Sequence, residues 1–252
     1  MYLLFVLGTA GSGKSELTGV FTRWLEFQGE NAMAVNLDPG AISLPYSANV
    51  NVRDYIRVES LMEEYCLGPN GGLMLASEMM LEIVDQLSSD LDDFGPDIAI
   101  LDTPGQMEMF AFRDVGARIA EEISDEGKGM IYLIDAGFSR DPLNYVMSMF
   151  LASAINTRFQ LPQISVLSKA DLLGEELEEL EAWGEDPMLL ETAIDNRLTG
   201  MNRLMSQDMI EIINRLGVEF NPIPVSTRGN LGFTRLYSEM TRVFMAGEPF
   251  TT

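Results

Sequence analysis

The run Gly8-Thr9-Ala10-Gly11-Ser12-Gly13-Lys14-Ser15 sets glycines, a lysine and a hydroxyl at the spacing of a phosphate-binding loop. Glycines let consecutive backbone N–H groups close around α- and β-phosphates, and a helix starting there adds the positive end of its dipole. Gly11, Ser12 and Gly13 belong to that cradle, Lys14 would reach the β- and γ-phosphates, and the Ser15 hydroxyl would ligate Mg²⁺. Glu16, in the first turn of the helix, is counted with the nucleotide-binding residues. The pattern implies a nucleoside triphosphate and leaves the base and the purpose open.

Later segments would complete such a site. In Asp102-Thr103-Pro104-Gly105-Gln106, Asp102 would hold Mg²⁺ directly or through water and the Gly105 N–H would sense a γ-phosphate. Gln106 stands where a glutamine orients an attacking water, and Glu108 would accept a proton or a water hydrogen bond. The plain alternative for both is an exposed polar residue on a loop. Asp38, in Asn36-Leu37-Asp38-Pro39-Gly40, would join the Mg²⁺ and water network, with a turn or cap role as its alternative. Ser168-Lys169-Ala170-Asp171 fits an [N/S/T]-K-x-D element. Asp171 would accept from guanine N1–H and the 2-amino group while the Lys169 stem packs on the base. Adenine lacks that donor pair, so the element selects GTP over ATP. Ser226 and Thr227, in Ser226-Thr227-Arg228-Gly229, would contact guanine O6, although a simple turn accounts for them nearly as well.

Absences narrow the chemistry further. The chain has no histidine, so any mechanism must run on carboxylates, amides, backbone donors and Mg²⁺. The one cysteine, Cys66, excludes an intramolecular disulfide and a cysteine-based metal cluster. A net charge of −23 argues against direct binding to nucleic acid or an anionic membrane. It suits either a high-salt habitat or a basic partner. Only three lysines stand against thirteen arginines, and two of the three, Lys14 and Lys169, lie inside nucleotide motifs. No apolar stretch reaches the roughly 20 residues of a membrane helix, and no signal peptide is visible, so a cytoplasmic protein is expected.

Elements that could hold these residues alternate along the chain. Short apolar runs at 2–7, 32–36, 98–101, 130–134, 163–167 and 221–225 read as strands, with helical patterns between them. Each motif follows such a run. The expectation is an α/β three-layer sandwich of the P-loop type, its mostly parallel sheet covered by helices on both faces. Leu17, Val20, Phe21, Trp24 and Leu25 mark the first helix, Asp141-Pro142 reads as an N-cap and first position, and a helix over 230–245 closes the chain. The 252 residues are expected to form one domain with helical insertions at about 39–96 and 173–216. The first insertion holds a loop, Gly68-Pro69-Asn70-Gly71-Gly72, then a helix over about 73–91. The second holds an acidic stretch over 174–185 and a helix over about 193–216.

With these motifs in hand, the chain resembles the GPN-loop GTPases over essentially its whole length. The likeness runs through residues 8–15, Asn36-Leu37-Asp38-Pro39, Val52-Arg53-Asp54-Tyr55-Ile56, Gly68-Pro69-Asn70 and Asp102-Thr103-Pro104-Gly105-Gln106. The resemblance implies GTP hydrolysis to GDP and phosphate with Mg²⁺, by an obligate homodimer whose sites face each other. It also implies that Asn70 of one subunit reaches the γ-phosphate region of the other, and that Asp38, Asp102, Gln106 and Glu108 surround Mg²⁺ and the attacking water. Ser168 and Ser15 depart from the commoner Asn and Thr, keeping the hydroxyl or hydrogen-bonding role. Thr9 stands where dimerising ATPases of this class carry a lysine acting across the interface, a role that would pass to Asn70. The compact length is similar to that of archaeal homodimeric members. The expected role is that of a nucleotide-gated assembly or maturation factor for a protein client, with two rival readings: a switch or scaffold with negligible turnover, and an ATP-using phosphotransferase of related fold.

Overall fold

The computed structural model describes residues 1–124, 127–216 and 220–244. Among the described residues seven strands form one sheet: β1 (Tyr2–Gly8), β2 (Ala32–Asn36), β3 (Val50–Asn51), β4 (Ile98–Asp102), β5 (Gly127–Asp135), β6 (Gln163–Ser168) and β7 (Ile223–Val225). Their order is β3-β2-β4-β1-β5-β6-β7, and every pairing is parallel. Strands buried on both faces need apolar side chains at every position, hence the unbroken apolar runs of the central β1 and β4 rather than alternation.

Successive side chains of a strand point to opposite faces, and this splits the core in two. Leu4 and Val6 of β1 and Ile98 and Ile100 of β4 pack with helix α1 (Lys14–Gln28) and the closing helix. Leu3, Phe5 and Leu7 face the larger cluster. The other helices are α2 (Val58–Glu64), α3 (Pro69–Met79), α4 (Val84–Phe94), α5 (Met107–Phe110), α6 (Asp114–Glu122), α7 (Pro142–Phe159), α8 (Glu176–Glu185), α9 (Pro187–Arg197), α10 (Gly200–Leu216) and the closing α11 (Phe233–Phe244). Leu17, Phe21 and Leu25 bury one stripe of α1, and Phe233, Leu236 and Met240 one stripe of α11. As expected, Asp141 caps α7, its carboxylate accepting from the Leu143 N–H at 2.9 Å. Residue 245, assigned to the closing helix, lies outside the described residues.

Several boundaries differ from expectation. Gly68-Pro69-Asn70 opens α3 rather than forming a loop before it, with Gly68 at the N-cap and Pro69 at the first position. Proline's missing N–H and fixed φ suit that position as well as they suit a turn. The helix expected over 73–91 is two, α3 and α4, joined by a 3₁₀ turn at Met80–Ile83. The helix expected over 193–216 is also two. It breaks at Leu198, whose extended backbone (φ −102°, ψ 151°) ends α9. Both halves feed the same core through Ala193, Ile194, Ile210 and Ile213, which makes their apolar spacing read as continuous. β3 was not expected, since two residues carry no period, and β7 starts at Ile223 rather than residue 221. The acidic stretch is helix α8, with Leu180 and Trp183 buried and its glutamates on the outer side.

Candidate nucleotide site

Parallel pairing carries the C-terminal ends of the strands to one edge of the sheet. Val6 pairs with Asp102, Gly8 with Leu133, Asp135 with Ser168, and Ser168 with Val225. The phosphate loop and the segments that follow β2, β4, β6 and β7 therefore open at the same rim, where ligands of open α/β sheets bind.

The loop from β1 to α1 has the backbone that its glycines permit, with Gly11 at φ +77° and Gly13, the N-cap of α1, at φ +93°. Lys14 folds back so that Nζ donates to the Gly8 and Thr9 carbonyl oxygens at 2.9 and 3.1 Å. Burial lowers its pKa, while the Asp102 and Asp38 charges oppose that shift. The Ser12 hydroxyl lies fully buried inside the loop with no hydrogen-bond partner.

Beside Lys14, Asp102 is buried at the end of β4. Burial pushes its pKa up to about 6, with the Ser15 and Tyr46 hydroxyls and the Lys14 ammonium pulling it back. Tyr46 donates to Oδ2 at 3.0 Å, whereas Oδ1 is buried with no satisfying hydrogen bond. The neighbouring Thr103 hydroxyl donates to the Val6 carbonyl oxygen at 2.7 Å, tying this turn to β1. The Asp38 carboxylate accepts from Gly40 N–H at 2.8 Å through Oδ1 and from Gly105 N–H at 3.3 Å through Oδ2. It thus makes the turn contact that was its alternative role and also bridges to the Asp102 loop. The Gly105 amide expected to meet a γ-phosphate here faces Asp38. Among the described residues no cluster of three or more His, Cys, Asp or Glu side chains is set to hold a metal. A Mg²⁺ ion held largely by phosphate oxygens and water needs fewer protein ligands. The orphaned Oδ1 of Asp102, on a carboxyl that the Ser15 hydroxyl also approaches, fits that donor set.

The residues expected to read the base lie on the other side of the loop. The Ser168 hydroxyl is 2.8 Å from the Ser12 carbonyl oxygen and 3.1 Å from that of Ile134, its one proton serving either. Lys169 Nζ donates to the Gly11 carbonyl oxygen at 2.5 Å and to Asp135 Oδ2 at 2.7 Å. Asp171 Oδ1 accepts from the Ser226 hydroxyl at 2.6 Å, and that hydroxyl accepts from the Arg228 N–H at 3.1 Å. These residues surround a cavity of about 340 Å³ lined by Ser12, Gly13, Glu16, Lys169, Asp171 and Thr227, among others. Ser226 stands behind Asp171 instead of lining the cavity.

Gln106 is exposed at the start of α5. It borders a 160 Å³ cleft with Asp38 and Gly40, and a 550 Å³ cleft with Thr9, Ala10 and Asn70. Asn70 of this same chain therefore lies at the open side of its own phosphate loop. Glu108 lies in α5, and its side chain is outside the described residues.

Three contributors escaped the sequence reading. Asp135, whose pKa Lys169 and the Phe138 N–H hold down against burial, ends a buried apolar strand just as Asp102 does, and that signal could have found it. Arg228 sits beside Asp171, 3.4 Å from Oδ2, and only its nearness to Ser226 pointed there. Tyr46 lies in a loop without pattern, and its phenol is held far above its ordinary pKa by burial and by Asp102.

A family described as "Conserved hypothetical ATP binding protein" matches residues 6–246. A GPN-loop GTPase 3 of Mycosarcoma maydis is 30% identical over 246 residues, which span 92% of this chain and 88% of the relative. The chain belongs to the GPN-loop GTPase family. A GPN-loop GTPase of Pyrococcus abyssi is 37% identical over 181 residues, 71% of each chain. The crystal structure of a GTPase in apo form from the same organism superposes with a TM-score of 0.85 at 30% identity, covering 96% of this chain and 97% of that one. The three-layer P-loop architecture expected from the sequence is thus the fold of this GPN-loop family member.

Proposed function

We propose that the chain hydrolyses GTP to GDP and phosphate at a Mg²⁺-dependent site completed by a second copy of itself. The observation that carries the choice of GTP is the base end. Ser168 and Lys169 are bonded to the backbone of the phosphate loop, and Asp171 is held by Ser226 at a cavity between them. A fixed carboxylate rewards paired donors on a base and penalises a base that leaves it unmatched. ATP, named in the description of the matching family, presents no such pair.

At the other end Lys14 would turn from the Gly8 and Thr9 carbonyls to the phosphates. Ser15 and Asp102 Oδ1 would hold Mg²⁺, which when bound supplies positive charge across the β- and γ-phosphates, and Asp38 would order water nearby. Gln106, with Glu108, would orient the nucleophilic water. The cleft shared by Thr9, Ala10, Asn70 and Gln106 is open, and in a symmetric dimer a facing copy would bring its own Asn70 to this side. The chain is taken as one domain, with the segments 39–96 and 173–216 as its helical insertions. Among the described residues no helix is long and apolar enough to cross a membrane, and with a single cysteine and a charge of −23 a cytoplasmic site, away from nucleic acid, fits best.

The deciding experiment measures GTP and ATP affinity side by side, then hydrolysis per subunit across enzyme concentration. GTP should bind far more tightly, and the rate per subunit should fall on dilution. Tighter ATP binding sinks the base assignment, and a concentration-independent rate spanning monomer and dimer sinks the trans role of Asn70. A second reading, a nucleotide-gated assembly or maturation factor for a protein client, is favoured by the bond from Gly105 N–H to Asp38. That tie between two loops would open as the amide turns to a γ-phosphate. Identical partner sets pulled down with GDP and with a non-hydrolysable GTP analogue would count against it.

A further inference from the structure

Between β2 and β3 the chain loops over α1 and sends one aromatic side chain into the phosphate end of the site. Tyr46 is half-buried, and its hydroxyl donates to Oδ2 of Asp102 at 3.0 Å. Its other end is fixed by α1: a methyl group built on Gly19 would come within 2.6 Å of Tyr46 Cβ and 3.2 Å of its ring carbons Cγ and Cδ1. Only a residue without a side chain lets the tyrosine pass there. The phenol therefore approaches Asp102 from a direction set by the helix that follows the phosphate loop.

That approach matters because the Asp102 carboxyl has two oxygens in unlike surroundings. Oδ2 is engaged by Tyr46, while Oδ1 is buried and unpartnered. A carboxylate turns about χ2 in a broad, roughly two-fold well, so a donor fixed on one oxygen decides which oxygen is left to offer. Losing a partner that orients a metal's ligand in this way typically costs about 10–100-fold in metal affinity.

We propose that Tyr46 is a positioning residue of the cation site: it holds Asp102 so that Oδ1 is presented to Mg²⁺ or its bound water, and so couples the 38–49 loop to cation occupancy. This inference rests on the reading of Asp102 as the cation's carboxylate. It assigns no step of the reaction to the tyrosine.

The test uses the full chain and titrates Mg²⁺ into its GDP complex, following the gain in GDP affinity over that in EDTA. A general loosening of the fold would weaken both affinities alike, so their ratio is the readout. Tyr46→Phe keeps the ring and its packing on Gly19 and removes only the donor. The Mg²⁺ concentration for half of the gain should rise about tenfold. Gly19→Ala leaves the hydroxyl and Asp102 untouched, adds a residue that favours helix, and displaces the ring. It should give a similar rise, and the double variant should go no further than either alone, as expected of two changes acting through one contact. Asp102→Asn separates this inference from the reading beneath it. If Asp102→Asn abolishes the Mg²⁺-linked gain while Tyr46→Phe and Gly19→Ala match the parent, Tyr46 has no positioning role and Asp102 keeps its own. If Asp102→Asn also matches the parent, the cation assignment falls and the role of Tyr46 falls with it.

Discussion

The two ends of the nucleotide cleft are built differently. At the base end the polar side chains are already committed: Ser168 and Lys169 to the phosphate-loop backbone, Lys169 also to Asp135, Asp171 to Ser226, and Ser226 to the Arg228 N–H. At the phosphate end Lys14, Asp38 and Asp102 also hold bonds, but other commitments are missing or loose. Asp102 Oδ1 and the Ser12 hydroxyl are buried without partners, Asn70 and Gln106 are exposed, and the bond joining the Asp38 and Gly105 loops is 3.3 Å long. A site that spends its bonds in advance discriminates, because ordering it costs nothing when the ligand arrives. A site with bonds left over changes when a ligand comes. The contrast suits a molecule that recognises its base rigidly and reports the state of its γ-phosphate by moving.

The largest expected effect attacks the rigid end. Asp171→Ala removes the paired acceptor, and GTP affinity should drop about 10³-fold with ATP affinity nearly unchanged. Competition binding of the two nucleotides measures the ratio; an equal loss for both would mean that the base end holds phosphate rather than reads guanine. Next comes the phosphate end. Gln106→Ala should cut the turnover number about 10²-fold and leave GDP affinity within about twofold. Asn70→Ala should behave likewise, and in mixed dimers that pair it with an Asp102→Asn subunit one of the two sites, built from the first subunit's Asp102 and the second subunit's Asn70, should recover its rate. If either substitution costs affinity as much as turnover, the two ends are not separate in function.

A smaller effect probes how the rigid end is held. Asp135→Asn weakens the ion pair that aims Lys169 across the loop. GTP and GDP affinity should both fall by up to about fivefold, with turnover at saturation retained. Calorimetry on both nucleotides checks this, and a loss confined to GTP would move Asp135 to the phosphate end of the comparison.

The same contrast governs what could be read from the sequence. Residues of the base end and the phosphate loop lie in contiguous runs at strand ends, where local pattern and chemistry coincide, so Lys14, Asp102, Lys169 and Asp171 were legible one motif at a time. Asp135 meets Lys169 only because β5 and β6 pair in register, and Tyr46 meets Asp102 only because Gly19 lets a loop cross α1. Neither contact has a local signature. Apolar period found the helices but not their breaks, since α9 and α10 share one core across Leu198. Gly68-Pro69-Asn70 suits a turn or a helix start equally, and only packing makes it the start of α3.

Ser12 offers the finest test of the comparison. Its hydroxyl is fully buried, makes no hydrogen bond, and lies against Gly8, where an added Cβ would meet it at 2.6 Å. A buried hydroxyl left unpaired costs about 1–3 kcal/mol of desolvation, and removing it recovers part of that cost less the packing that its oxygen supplied. Ser12→Ala should therefore leave the nucleotide-free protein as stable as the parent or up to about 1 kcal/mol more so, read as a rise of a few degrees in melting temperature. With GDP bound the order should reverse, because the parent hydroxyl can then donate to a phosphate oxygen and the alanine cannot. A nucleotide-free variant less stable than its parent would mean that the hydroxyl is already satisfied, and that the phosphate end is as fully committed as the base end.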